Sequence, residues 1–200
     1  MDLFLNPDYT ALSKQAANHL LNLGRKFESP LICVASGDSP AGMYREIVDS
    51  NNSQVTGSWN FVGLDEWQGM NATDEGSCQW HLQQQLFQPM QVSPDRLCFF
   101  DGRASNLSAE CQRVDQFIRE KGGIDIAVLG LGTNGHIGMN EPGTDPTLTA
   151  HFAELATSTI QTAQKYFRKE TTITGGLTLG IASILAAKHI FLMVSGRHKA

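Results

Sequence analysis

The sequence predicts an α/β protein built on a mainly parallel sheet, and three observations carry that prediction. Short apolar runs alternate with helix-spaced segments along all 200 residues, as in a chain that crosses repeatedly over one sheet. The runs LICVA, FVGL and IDIAVL are apolar almost throughout, which suits strands covered on both faces. Each is followed by a segment rich in glycine, serine or acid: Ser36–Pro40, Asp65–Trp67 and Gly130–Gly143.

After Pro7, residues Leu12, Ala16, Leu20 and Leu23 recur at helical spacing, with Gly24 closing the helix. Leu31–Ala35 is then a buried strand, and Ser36-Gly37-Asp38-Ser39-Pro40 turns the chain into a helix over about 41–49. Asn60–Leu64 is the next strand, with Asp65-Glu66-Trp67 at its end. A helix is expected over Ser77–Leu86 and a short strand over Leu97–Phe100. Asn106 or Ser108 caps a helix running to Lys121, ahead of Gly122-Gly123 and the strand Ile124–Leu129. Thr144–Thr172 is polar and weakly patterned, and no element is placed there. Leu177–Ala187 reads as a helix and His189–Val194 as a strand, with a further helix beginning at Gly196.

Composition narrows the function classes. Fifteen Lys and Arg against twenty Asp and Glu leave a net charge of −5 without any block of like charge, so neither nucleic acid nor an anionic membrane is indicated as partner. Any phosphate site must therefore be local, made of backbone N–H groups and one or two basic residues. Cys33, Cys78, Cys98 and Cys111 form no C-x-x-C pair, which argues against a zinc or redox motif, and Cys33 and Cys98 read as small core hydrophobes. No basic segment precedes an apolar stretch in MDLFLNPDY, and no run approaches about 18 apolar residues, so the chain reads as cytoplasmic.

Chemistry concentrates in the three segments after strands. GLGTNGHIGMNEPG packs five glycines, His136 and Glu141 into a turn that lets backbone approach a ligand closely. If the strands are parallel, all three segments share the carboxyl edge of the sheet, where such folds place ligands. Ser36 and Ser39, with the helix start behind them, suit a phosphate, though an ordinary Ser-Pro helix start has the same look. Asp65 is placed to abstract a proton if burial raises its pKa, and otherwise caps a helix or sits in a solvated turn. His136 and Glu141 are spaced so that their side chains can meet, either as a proton-transfer pair or as a satisfied structural histidine. Asn134 and Asn140 offer amides for sugar hydroxyls or turn geometry. One histidine and one glutamate are too few ligands for a metal.

Taken together, SGDSP, LDEW and GLGTNGHIGMNEPG resemble the glucosamine-6-phosphate deaminase/isomerase family across nearly the whole chain. The resemblance implies a modified doubly wound, Rossmann-like, mainly parallel sheet with helices on both faces, three layers in all, as one domain over residues 1–200. It implies an aldose–ketose isomerase with deaminating activity on an amino-sugar 6-phosphate, needing neither metal nor nucleotide, with a homo-oligomer as one expectation for a chain whose oligomeric state the sequence leaves open. Asp65 would move a proton between C2 and C1, while His136 would open the ring with Glu141 and Asn134 orienting it. Ser36, Gly37, Ser39 and Gly135 would bind substrate and its phosphate, joined by Lys199 in a match to the family's G-x-x-K-A. Aligning STIQTAQKYF sets Lys165 in place of a phosphate-binding arginine, with Arg168 as second choice.

Two departures stand out. Some members carry Asp where this chain has Asn134, which leaves Glu141 as the one acid to neutralise the imidazolium. Members usually continue past the position of Ala200; in a truncated form the sheet would lose cover and Lys199 would be poorly fixed. LDEW, GSCQWHLQQQL and KGGIDIAVLGLG look closest to the galactosamine-6-phosphate branch. Two alternatives remain. A 6-phosphogluconolactonase would be expected to carry G-x-D-G-H-T-A-S-L-F-P in place of NGHIGMNEPG. A sugar-phosphate-sensing regulator would normally add an N-terminal helix-turn-helix.

Overall fold

The computed structural model describes residues 1–199; Ala200, the last position of the G-x-x-K-A match, lies outside them. In chain order the first half holds α1 (Tyr9–Gly24), β1 (Leu31–Val34), α2 (Asp38–Asp49), α3 (Ser53–Thr56), β2 (Asn60–Gly63), β3 (Asp65–Trp67) and α4 (Cys78–Leu82). The second holds β4 (Leu97–Cys98), α5 (Leu107–Glu120), β5 (Ile126–Gly130), β6 (His151–Glu154), α6 (Thr157–Ala163), β7 (Gly175–Thr178), α7 (Ile181–Leu185) and β8 (His189–Met193).

Five strands form one parallel sheet in the order β4-β2-β1-β5-β8. The chain winds outward from β1 through β2 to β4, then returns to β5 on the other side of β1. This is the doubly wound pattern, and its switch point lies between β1 and β5. Alternation along the strands sorts side chains into two cores. Ile32, Val34, Phe61, Ile126 and Val128 pack against α1, α2 and the segment around Leu86 and Phe87. Leu31, Cys33, Val62, Ala127 and Leu129 face the other way, onto α5, α7 and Leu177.

Local chemistry sets the ends of the elements. Asp8 caps α1 by accepting the Ala11 N–H at 2.8 Å, and Asn106, not Ser108, caps α5 through the Ala109 N–H at 3.0 Å. At the amino edge of the sheet, Asp125 accepts both the Leu31 N–H (2.8 Å) and the Lys188 ammonium (2.7 Å), tying β1 to the entry of β5 and β8. Lys121 reaches Asn60 there at 3.0 Å.

Several sequence expectations are corrected. Asp65–Trp67 is not a loop but a strand, and it pairs antiparallel with β7 in a second sheet ordered β3-β7-β6. The stretch without a prediction, Thr144–Thr172, supplies β6 and α6. The helix expected over Leu177–Ala187 is β7 followed by the shorter α7. Leu177, Ile181 and Ile184 share helical spacing, but residues 175–178 fill the slot between β3 and β6, where a Cβ on Gly176 would fall 2.7 Å from the Glu66 carbonyl oxygen. The helix from Ser77 holds its start, then widens into a π-turn over Gln83–Phe87. After Gly196 the chain makes a 3₁₀ turn over Arg197–Lys199. No helix among the described residues is long and apolar enough to cross a membrane.

Candidate active site

A cavity of about 380 Å³ opens over the carboxyl edge at the switch point. Its walls include Ser36, Gly37 and Ser39 after β1, Asp65 on β3, His136 in the glycine-rich turn, Thr159 and Lys165, and Lys199 near the end of the chain. Five positions read from three separate segments thus face one space, together with Lys165 and Lys199 from further along the chain.

The loop after β1 folds as it does because Gly37 takes φ +105°, a conformation side chains rarely adopt, and a Cβ there would fall 3.1 Å from the Tyr166 hydroxyl. Gly37 is also the N-cap of the twelve-residue α2, so the free N–H groups of the first turn face the cavity end. Tyr9 braces that turn, donating to the Asp38 carbonyl (2.5 Å) and accepting from Gly42 N–H (2.7 Å).

Asp65 is half-buried at the cavity wall. Burial raises its carboxyl to about 6, with a hydrogen bond from the Cys78 thiol pulling the other way. It is therefore mostly ionised just above pH 6, yet more basic than a solvated aspartate. Its neighbour Glu66 is fully buried and turned away from the cavity.

The histidine side is a three-residue relay. Asn134 donates its amide N–H to Glu141 Oε2 at 2.7 Å, while its Oδ1 lies 2.6 Å from His136 Nδ1. A carboxylate can only accept, so the amide oxygen must face the imidazole, and Nδ1 must carry the hydrogen. The neutral ring then keeps Nε2 unprotonated. Glu141 Oε2 itself stands 4.0 Å from Nδ1, and its other oxygen accepts the Ala156 N–H (3.1 Å) at the start of α6. Burial pulls the imidazole below its ordinary range, opposed by Glu141 and assisted by the charge of Lys199. Burial also pushes Glu141 up, but hydrogen bonds from Thr159, Asn134 and the Ala156 N–H outweigh it and hold the carboxyl below its usual range. Gly132 has to be glycine, since a Cβ there would fall 2.3 Å from the imidazole.

Lys165 lines the cavity and pairs with Asp38 at 2.5 Å, whereas Arg168 turns outward to Glu75 at 2.6 Å and is 81% exposed. Gly135 does not line the cavity: it is exposed, and its φ of +90° shapes the turn that carries His136. Asn134 and Glu141 stand behind His136, outside the lining. Sequence reasoning missed Thr159, Tyr166 and Cys78. The first two belong to a segment without a readable period, and Cys78 has no partner motif to mark it. Among the described residues no group of three His, Cys, Asp or Glu side chains is disposed to hold a metal ion.

A family model described as glucosamine-6-phosphate isomerases/6-phosphogluconolactonase matches residues 7–200. Glucosamine-6-phosphate deaminase of Alkaliphilus oremlandii is 37% identical over 209 aligned positions, covering 100% of this chain and 84% of that protein. Glucosamine-6-phosphate deaminase 1 of Bacillus subtilis is 34% identical, covering 96% and 81%. A solved monomeric glucosamine-6-phosphate deaminase superposes with a TM-score of 0.93 at 32% identity, covering 100% of this chain and 84% of that one. A 6-phosphogluconolactonase from Leishmania guyanensis shares the fold at a TM-score of 0.79 and 17% identity, covering 98% and 82%. On sequence, topology and the cavity at the switch point together, the chain belongs to the glucosamine-6-phosphate isomerase/6-phosphogluconolactonase family.

Proposed function

We propose that the protein is an amino-sugar 6-phosphate isomerase/deaminase, converting glucosamine or galactosamine 6-phosphate to the ketose 6-phosphate and ammonia. One observation carries the reading: Asp65 and His136 face the same cavity, with the α2 N-terminus and Ser36 at one end of it.

The phosphate sits on the N–H groups and hydroxyls of Ser36–Ser39, with Lys199 and Lys165 completing its charge balance. His136 Nε2, free of hydrogen, takes the proton of the C1 hydroxyl and returns it to the ring oxygen, so the C1–O5 bond breaks and the aldehyde forms. Asn134 and Glu141 stabilise the imidazolium formed in between. Asp65 then removes the C2 proton while a proton of the substrate's C2 ammonium passes to O1, giving a neutral enolamine, and Asp65 delivers the proton it took to C1. The resulting C2 iminium adds water and expels ammonia. A base of pKa about 6 suits this work near neutrality, where it is both charged and basic.

The test is ammonia release from glucosamine 6-phosphate and galactosamine 6-phosphate side by side. Release from at least one is expected, and their ratio sets the epimer preference. Release from neither by folded protein removes the proposal. His136→Gln is expected to slow turnover of closed-ring substrate far more than that of an open-chain analogue. Equal losses on the two would take ring opening away from His136.

A further inference from the structure

β3 carries two adjacent carboxyls, and successive side chains of a strand point to opposite sides. Asp65 faces the cavity; Glu66 is 1% exposed beneath it. A buried carboxylate needs partners, and among the described residues no cation pairs with this one. It is satisfied by backbone instead. Oε1 accepts the N–H groups of Trp67 (2.9 Å) and Cys78 (3.0 Å), and Oε2 accepts that of Gln79 (3.0 Å). Cys78 and Gln79 are the first two residues of α4, whose N–H groups have no partner within the helix. Glu66 therefore clamps the start of α4 to β3.

The clamp fixes a side chain that lines the cavity. Cys78 lines the same cavity as Asp65 and Ser36, and the pull of its thiol on the Asp65 carboxyl sets the sulfur beside that acid. We propose that Glu66 and Cys78 are a positioning pair for Asp65: Glu66 fixes the start of α4, and the thiol set there donates its hydrogen to Asp65, orienting the carboxylate. Burial and the two neighbouring carboxyls push the thiol well above its ordinary range, so it remains a donor throughout the working pH.

The titratable groups near enough to feel the charge of Asp65 are the Cys33 thiol on β1, the Tyr44 hydroxyl on α2, the Cys78 thiol on α4, and Glu66 next to it on β3. Burial raises Cys33, Tyr44 and Cys78, so all three stay protonated. Glu66, raised by burial to about 7 against its three N–H donors, is the other group that titrates near neutrality. The acid limb of kcat thus carries Asp65 and its clamp together with His136, whose ring must be neutral to act, and the difference between the two cysteine variants isolates the Asp65 part.

The inference rests on Asp65 being the base, and the experiment separates the two. kcat and KM for glucosamine and galactosamine 6-phosphate are measured across pH for Cys78→Ala, Cys78→Ser, Glu66→Gln and Asp65→Asn, on whichever epimer is turned over. Cys78→Ala should move the acid limb of kcat to higher pH by roughly half a unit, the effect of losing a weak donor. Cys78→Ser, which keeps a hydrogen to donate, should leave the limb nearer the parent's. Glu66→Gln replaces one acceptor oxygen by a donor and should lower kcat about tenfold with KM within about twofold, as misplacement of a reacting group does. An unmoved limb in Cys78→Ala, equal shifts in both cysteine variants, or a Glu66→Gln effect confined to KM would overturn the pair. The cysteine variants decide the matter if Glu66→Gln does not fold. An active Asp65→Asn removes both readings, whereas an inactive one beside an unmoved Cys78→Ala limb removes the positioning pair alone.

Discussion

The two edges of the parallel sheet use the same residue types for opposite ends. At the amino edge, Asp125 accepts from Leu31 and Lys188, and Lys121 reaches Asn60, so polar groups there satisfy one another. At the carboxyl edge, Asp65, His136, Ser36 and Lys199 face a cavity. There Asp65 is raised by burial to about 6, and His136 is lowered by it. One edge stabilises the fold; the other holds groups in states that cost stability and suit proton transfer.

Substituting the acids at the two edges should separate the roles most sharply. Asp65→Asn is expected to lower turnover about 10³-fold and to abolish exchange of the C2 proton with solvent, read by deuterium incorporation. It should also stabilise the fold. Because the folded carboxyl titrates near 6 and the solvated one near 3.8, keeping it charged is a penalty fully present above pH 6 that fades as the pH falls towards 4. Denaturant unfolding should therefore show a gain of up to about 3 kcal/mol at pH 8 and little at pH 4. Retained exchange, or a stability gain independent of pH, would break the contrast.

At the opposite edge, Asp125→Ala removes one carboxylate from two donors and leaves the Leu31 N–H buried without its partner. A loss of about 2 kcal/mol is expected by denaturant titration, with kcat per folded molecule unchanged. A lowered kcat in the folded fraction would show that the two edges are coupled.

Smaller effects test the cavity rim. Lys165→Met should raise KM for the sugar phosphate roughly tenfold with kcat little altered, measured by initial rates. Its present pairing with Asp38 is solvent-exposed and contributes little to stability, so unfolding should scarcely change. Smallest in rate is Asn134→Asp. An added carboxylate 2.6 Å from Nδ1 should raise the imidazole titration midpoint, read by NMR, while repelling Glu141. A midpoint that stays put would show that burial alone sets the histidine.

Much of the site was legible because its residues lie within short segments that follow strong strands. SGDSP and the 130–143 turn could be placed on one sheet edge from LICVA and IDIAVL alone, since apolar runs of that length report burial on both faces. His136, Asn134 and Glu141 could be grouped because a glycine-rich turn brings neighbours together. Contacts between distant segments were not legible. Thr159, Tyr166 and the outward turn of Arg168 depend on α6 and the 3₁₀ turn after it, in a stretch whose polar sequence carries no period. The second sheet was missed for a related reason: β7 lies between β3 and β6, and its two glycines report close packing, not a strand pattern.

By itself, then, the sequence determined the parallel sheet, the helix after Pro7, the helix start at Ser77, and the three segments that meet at its carboxyl edge. These follow from side-chain periodicity and capping, which act over a few residues. Only the tertiary structure decided that Glu66 turns inward to clamp α4, that Cys78 meets Asp65, and that Lys165 and not Arg168 faces the cavity. Those outcomes turn on hydrogen bonds and burial between segments far apart in the chain, for which local spacing holds no signal.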